Sequence, residues 1–153
     1  PEPLLYAKGV AMRKEGRLRE AIAMLELAGK SPSYWLKAQA QIGLCHRSTG
    51  DHEAAIQAFR IALSDQSASR KEVIDVQYFL AQTLESVGQI AEAITLYRSI
   101  VQLNPLFRDA ASRAKELSPR PKHPTNGTQG VADNGSWFGN AIKSFNQFIG
   151  GRK

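Results

Sequence analysis

Three glycines interrupt the first two thirds of this sequence at nearly regular intervals. Gly16, Gly50 and Gly88 each break a run in which apolar residues recur at helical spacing, and they lie 34 and 38 residues apart. Glycine readily adopts the left-handed conformation that ends a helix, and Asp51, directly after Gly50, is a good N-cap for the next helix. The spacing therefore predicts two helices joined at each glycine, repeated three times in tandem.

The apolar pattern also places the boundaries of these helical hairpins. They are predicted at about 3–30, 34–67 and 72–105, and Ser31-Pro32 is a strong start signal for the second. The four extra residues before Gly88 belong either to the polar loop 64–69 or to a longer first helix in the third unit. A further helix is predicted over 106–117, where apolar residues lie on one side: Leu106, Phe107, Ala110, Ala111, Ala114 and Leu117.

Small and bulky residues recur at matching positions of the three units. Small residues in the first helices, which let the two helices of a hairpin approach closely, are Gly9, Gly43 and Ala81. Bulky residues in the second helices, which are expected to fill the space between hairpins, are Leu25, Phe59 and Tyr97, and Asn104-Pro105 closes the third unit. In this register about 100 of the 153 residues resemble the tetratricopeptide repeat family. The resemblance implies an all-α fold: an antiparallel helical-hairpin repeat solenoid, or TPR-like superhelix, over residues 1–117, in which 106–117 is the capping helix.

The composition changes after this array. Residues 118–135 are rich in Pro, Gly, Asn and Thr, and we expect a flexible linker. Residues 136–150 then predict an amphipathic C-terminal helix, whose apolar face is formed by Trp137, Phe138, Ala141, Ile142, Phe145, Phe148 and Ile149. So short a helix is marginal in water and needs a surface to cover its apolar face. Three surfaces stay open: its own array, a partner or second copy of the chain, and an anionic membrane.

The net charge of +6 is concentrated in this tail. Residues 1–117 hold 15 basic and 13 acidic side chains, whereas residues 118–153 hold 5 basic and 1 acidic. The near balance of basic and acidic side chains in the array argues against nucleic-acid binding. There is neither a run of eighteen apolar residues nor a charged-then-apolar leader, and we expect a cytoplasmic protein that is trimmed before Pro1.

The sequence shows no constellation that would carry catalysis. His46, His52 and His123 have no metal-ligand spacing, and no phosphate-binding loop follows a strand. The single cysteine, Cys45, lies in an apolar stretch and is expected to be a buried packing residue. We therefore expect a protein that is not an enzyme and that needs no cofactor or metal.

The resemblance implies that binding occurs on the concave face, which the first helices of the hairpins line. It would present aliphatic and aromatic side chains with a basic side, a mixture that suits an amphipathic or acidic peptide. The expected peptide-binding groove consists of Tyr6, Val10, Arg13, Lys14, Lys37, Ala40, Leu44, Arg47, Tyr78, Gln82 and Glu85. The lysine and asparagine clamp with which some family members hold a terminal carboxylate is absent, because Tyr6, Val10, Leu44, Tyr78 and Gln82 occupy its positions.

Two functions follow as hypotheses. In the first, the chain is a protein–protein interaction module or scaffold that binds a peptide or helix in this groove. Its own C-terminal helix, through Trp137, Phe138, Ile142, Phe145, Phe148 and Ile149, would occlude the groove. In the second, the chain is a membrane-associated assembly factor that the same helix anchors.

Overall fold

The computed structural model describes residues 1–119, and these form seven α-helices with no strand. The helices are α1 (Glu2–Lys14), α2 (Leu18–Ala28), α3 (Pro32–Ser48), α4 (His52–Leu63), α5 (Arg70–Ser86), α6 (Ile90–Leu103) and α7 (Ala110–Leu117). Hairpin 1 is α1 with α2, hairpin 2 is α3 with α4, and hairpin 3 is α5 with α6. The predicted all-α repeat solenoid is confirmed for this part of the chain. The predicted linker and C-terminal helix, from residue 120 onward, lie outside the described residues.

Each hairpin turns at a glycine, as the sequence predicts. Gly16, Gly50 and Gly88 have φ of 83°, 82° and 83°. At Gly50 the amide donates to the Arg47 carbonyl at 3.1 Å, and the amide of Asp51 donates to the His46 carbonyl at 3.0 Å. The other two turns repeat this pair of bonds, which satisfies carbonyls that the helix end would leave without partners.

The helix starts are also set by local chemistry. The Asp51 carboxylate caps α4 by accepting from the Ala54 amide at 3.1 Å. Helix α5 begins with a capping box in which Ser69 and Glu72 exchange bonds with each other's backbone amides. Because α3 and α5 both have 17 residues, the third unit does not gain its extra residues in a longer first helix. Most of them lie in the polar loop between α4 and α5.

Close approach within each hairpin depends on the small residue of its first helix. A Cβ added at Gly9 would lie 2.6 Å from Leu25 Cγ, and one added at Gly43 would lie 2.5 Å from Phe59 Cε1. Leu25, Phe59 and Tyr97 are at most 1% exposed. The predicted close approach of the helices at Gly9 and Gly43 is therefore confirmed. Leu25 and Phe59, which were predicted to fill the space between hairpins, also fill the space within their own hairpins, and that was not predicted.

The last helix differs from the prediction, since α7 begins at Ala110 and not at Leu106. The Leu106 amide donates to the Asn104 side-chain oxygen at 3.1 Å, and Arg108 has a φ of 44°. A turn fixed by Asn104 and a left-handed residue cannot continue a helix. Leu106, predicted to lie on the apolar face, is 91% exposed.

Candidate functional site

The first helices of the hairpins lie on the inside of the array. Helix α1 contacts α3, and α3 contacts α5, whereas each second helix packs against the first helix of its own hairpin and, less extensively, against the helix that follows it. An array whose first helices are closer together than its second helices curves toward the first helices. We call the surface that α1, α3 and α5 present on that side the inner face.

The residues predicted to line a groove lie at three levels of burial on these helices. Lys14 and Lys37 are exposed. The side chains that are partly buried are Tyr6, Val10, Arg13, Arg47, Gln82 and Glu85. Ala40, Leu44 and Tyr78 are 5–7% exposed and form the floor, continuous with the core. All eleven belong to the three first helices, and their role in binding stays a prediction.

Aromatic and basic side chains meet where α1 packs on α3. The rings of Tyr6 and Tyr34 are tilted, with centroids 5.4 Å apart, and the Lys37 ammonium lies 5.5 Å from the Tyr34 ring. Burial raises the pKa of the Tyr6 phenol, so the ring carries a neutral hydroxyl at neutral pH. This part of the inner face therefore presents two aromatic rings with the Lys37 ammonium beside them.

One position recurs three residues before every hinge glycine, and its side chains reach toward the next unit. Arg13 donates through Nε to the Gln41 side-chain oxygen at 2.7 Å, and Arg47 donates to that of Gln82 at 3.1 Å. The third residue at this position, Glu85, forms an ion pair with Arg113 of α7. We call Arg13, Arg47 and Glu85 the hinge-proximal column.

The two arginines of this column influence each other. Burial, together with the nearby Arg13 guanidinium, lowers the pKa of Arg47. The Arg47 guanidinium also lies 5.7 Å from the centroid of the Phe79 ring. Neither arginine forms an ion pair with any carboxylate of residues 1–119. The N-terminal half of the inner face therefore concentrates positive charge on partly desolvated groups.

The opposite end of the inner face is closed by the turn before α7. The Tyr78 hydroxyl donates to Asp109 Oδ1 at 2.6 Å, and the Arg108 guanidinium lies 5.0 Å from the Tyr78 ring centroid. The Tyr97 hydroxyl donates to Glu85 Oε2 at 2.9 Å. Burial, with the charge of Asp109 nearby, raises the pKa of Tyr97 to about 12. Polar groups at this end thus bind one another.

Several of these contact residues are absent from the predicted groove. Gln41 lies one helical turn after Lys37 on α3, so helical spacing alone contained the signal for it. Arg108 and Asp109 carried no such signal, because the sequence placed them inside a helix. Their roles depend on the turn at Asn104, which brings both residues against Tyr78.

A cavity of about 520 Å³ adjoins this closed end. It is lined by Arg70, Lys71, Ile74, Asp75, Leu103, Asn104 and Phe107. Ile74 and Leu103 give it an apolar wall, and Asp75 places a carboxylate at its edge. Arg70 and Lys71 line the same cavity, so charges of both signs meet there.

Other chemistry is sparse in the described residues. Cys45 is fully buried, as expected, and burial raises the pKa of its thiol. Among residues 1–119 no three His, Cys, Asp or Glu side chains are grouped so that they could hold a metal ion. Nor does that part of the chain contain a helix of the length and apolarity needed to cross a membrane.

The sequence and the fold were compared with known proteins. Residues 36–64 and 74–105 match the family model described as tetratricopeptide repeat. These are hairpins 2 and 3 almost in full, so the resemblance seen in the sequence is confirmed. The comparison with curated proteins found no relative.

Solved structures share the fold at low sequence identity. The first TPR domain of Spaghetti (RPAP3), bound to an HSP90 peptide, has a TM-score of 0.65 and 15% identity, over 86% of this chain and 94% of that chain. The second TPR domain of human RPAP3, in complex with an HSP70 peptide, has a TM-score of 0.62 and 14% identity, over 78% of this chain and 100% of that chain. The Yersinia enterocolitica type III secretion chaperone SycD, in complex with a peptide of the translocator YopD, has a TM-score of 0.63 and 15% identity, over 75% of this chain and 90% of that chain.

Proposed function

We propose that this chain, which carries tetratricopeptide repeats, is a non-enzymatic protein–protein interaction module that binds a peptide or helix along its inner face. The observation that carries the proposal is the arrangement of that face. Three packed first helices hold an apolar floor of Ala40, Leu44 and Tyr78 beneath the partly buried polar side chains of Arg13 and Arg47. A floor for apolar anchors with directed hydrogen-bond donors beside it is the usual composition of a peptide site.

The similar structures support this use of the fold. The RPAP3 domains and SycD are each bound to a peptide of another protein. The residues of a site differ between proteins that share a fold, so what this chain binds has to follow from its own side chains. Those side chains are mixed apolar and basic, which favours an amphipathic or acidic segment.

A random-peptide phage library panned against the full chain tests the proposal. We expect peptides whose affinity falls about tenfold for Lys14→Glu/Lys37→Glu, since both lysines are exposed on the inner helices and attract acidic segments. The matched control is Arg19→Glu/Lys30→Glu, which makes the same change of charge at exposed positions in α2 and just after it.

The control pair separates a site from a general charge effect. Unchanged affinity for the control supports the inner face as the site. Equal losses for both variants, or a library that yields no binder, would contradict the proposal.

We further propose that residues 136–150 act as an internal ligand that competes for the inner face. The support is the apolar face of that segment, which includes Trp137, Phe138, Ile142, Phe145, Phe148 and Ile149. In the full chain, Trp137→Ala/Phe145→Ala should then tighten binding of a library-derived peptide severalfold. Unchanged affinity would remove the internal-ligand role and leave peptide binding itself intact.

The alternative for this segment is a membrane-associated assembly factor. Its support is the combination of those aromatic residues with Lys143, Arg152 and Lys153. Flotation of the full chain with anionic phosphatidylserine vesicles distinguishes the two. Retention on the vesicles that is lost in Trp137→Ala/Phe145→Ala favours the membrane, and no retention of the unmodified chain excludes it.

A further inference from the structure

The hinge-proximal column is neutralised at one of its three positions and not at the other two. Glu85 has the Arg113 guanidinium and the Tyr97 hydroxyl as partners. Arg13 and Arg47 each donate to the oxygen of a neutral glutamine side chain, on α3 and α5 respectively. Equivalent positions of the three hairpins thus differ. The position in hairpin 3 carries an ion pair, whereas those in hairpins 1 and 2 carry arginines that pair with no carboxylate of residues 1–119.

Both arginines retain donors for a ligand. A guanidinium has five N–H groups in a planar fork, and the glutamine oxygens account for one on each residue. The side chains are partly buried, where an uncompensated charge is costly and an opposite charge is strongly favoured. Each glutamine contact also fixes the direction of its guanidinium, so part of the entropy cost of binding is already met.

The charges around Arg13 and Arg47 favour an anionic ligand group over α1 and α3. Helix α3 contains no Asp or Glu, and α1 contains one, Glu2 at its first residue. Helix α5 contains the acidic residues Glu72, Asp75 and Glu85 beside the basic Arg70 and Lys71, and Glu85 is paired with Arg113. The excess of positive charge on α1 and α3 therefore attracts an acidic ligand group there, and α5 has no such excess.

We infer that Arg13 and Arg47 form a carboxylate-binding site for an Asp or Glu side chain of the bound peptide, and that this contact orients the peptide with its acidic residue over α1 and α3. The inference rests on the proposed function, because it names the chemistry of the partner for that same face. The partner is then a protein segment in which an acidic residue flanks apolar anchors. The anchors occupy the α3 part of the floor, at Ala40 and Leu44.

A positional-scanning peptide library with acetylated and amidated ends tests the site in the full chain. Since both ends are blocked, side chains supply the only carboxylates. We expect enrichment of Asp and Glu at one position, and a loss of about tenfold or more in affinity for those pools in Arg13→Gln/Arg47→Gln, which removes two charge-assisted contacts. Pools without an acidic residue should bind that variant as well as the unmodified chain.

Two further variants keep the result interpretable. Arg13→Lys/Arg47→Lys keeps both charges but removes the planar fork, so the preference for acidic pools should weaken without disappearing. Arg19→Gln/Arg98→Gln removes two exposed arginines from the second helices α2 and α6, and it should leave the preference unchanged. Thermal unfolding of each variant shows that the fold is retained.

The outcomes separate this inference from the proposed function. A matched library with free C-termini is measured alongside. If no pool of either library binds, the proposed function itself fails. If pools bind without preference for Asp or Glu, or if the preference survives Arg13→Gln/Arg47→Gln, the carboxylate site is wrong and peptide binding stands. Binding only by the library with free C-termini would also overturn the inference, which concerns side chains, and would leave peptide binding standing.

Discussion

The two halves of the inner face carry similar polar side chains, but these side chains have different partners. Over α5 and α7, the ion pair of Glu85 with Arg113 and the bond from Tyr78 to Asp109 join the third hairpin to the capping segment. Over α1 and α3, Arg13 and Arg47 donate to amide oxygens of the next helices, and neither forms an ion pair with a carboxylate of residues 1–119. Polar groups that bind each other stabilise the array, whereas a guanidinium with spare donors is available to a ligand. Under the proposed function, the C-terminal half therefore stabilises the array and the N-terminal half binds the peptide.

The largest expected effect concerns how closely the two halves are packed. Hairpins 1 and 2 close on glycine, while hairpin 3 closes on Ala81. In Gly43→Ala the new methyl overlaps the buried Phe59 ring, a cost of up to about 3 kcal/mol that outweighs the helix propensity alanine gains. We expect urea denaturation to show a net loss of about 2 kcal/mol. An unchanged midpoint would mean that the Phe59 ring moves aside at no cost, and the close packing at Gly43 would not stabilise hairpin 2.

The next effect concerns the closed end. Arg113→Ala leaves Glu85 partly buried with the Tyr97 hydroxyl alone, and the free energy of unfolding should fall by about 1 kcal/mol. Lys115→Ala, an exposed change on the same helix, is the control and should have little effect. Equal losses would show that the ion pair adds nothing beyond helix α7 itself.

The pH dependence gives a second measure of the closed end. The folded pKa of Tyr97 is about 12, above the ordinary value of 10.0, so the folded state keeps a proton that the unfolded state loses between these values. Stability from Tyr97 is therefore present below pH 10 and is lost as the pH rises toward 12, with a decrease of about 1 kcal/mol by pH 11. Denaturation at pH 8 and pH 11 should show a smaller decrease for Tyr97→Phe. A decrease of the same size would assign it to other groups.

The smallest effect on stability is expected at Arg47, which belongs to the proposed carboxylate-binding site. Arg47→Gln removes one hydrogen bond to Gln82 and also the unfavourable proximity of Arg13, so the two changes offset each other. We expect the free energy of unfolding to change by less than about 0.5 kcal/mol. A loss as large as that of Arg113→Ala would mean that Arg47 serves the fold, and the contrast between the halves would disappear.

The sequence predicted what depends on local chemistry. The glycine hinges and the Asp51 cap follow from residue type and spacing, and the structure contains them. The close approach of two helices at Gly9 and Gly43 was predicted in the same way, but their contacts with Leu25 and Phe59 were not. The capping box of Ser69 and Glu72 was readable in the same way but was missed. Local rules of this kind were sufficient for the fold.

Contacts between units were beyond such rules. Helical spacing shows which face a residue occupies, but it does not show that Glu85 meets Arg113, because that depends on the angle of α7. The apolar residues 106–117 fitted a helix, and the turn at Asn104 with the left-handed Arg108 prevailed over that pattern. The residues predicted to line a groove lie on the first helices, as their spacing indicated, and their role in binding stays a prediction. The partners that distinguish the two halves were not predicted.

The most direct test of the central claim is a map of where a peptide binds. Amide chemical shifts of the full chain, recorded by nuclear magnetic resonance with and without a library-derived acidic peptide, report each residue separately. We predict that the largest chemical-shift changes occur on the inner face of α1 and α3, and that those in α2 and α4 are small. The residues with the largest changes should be Tyr6, Val10, Arg13, Ala40, Leu44 and Arg47. Changes centred on α2 and α4, or on the closed end around Arg108 and Arg113, would contradict the central claim.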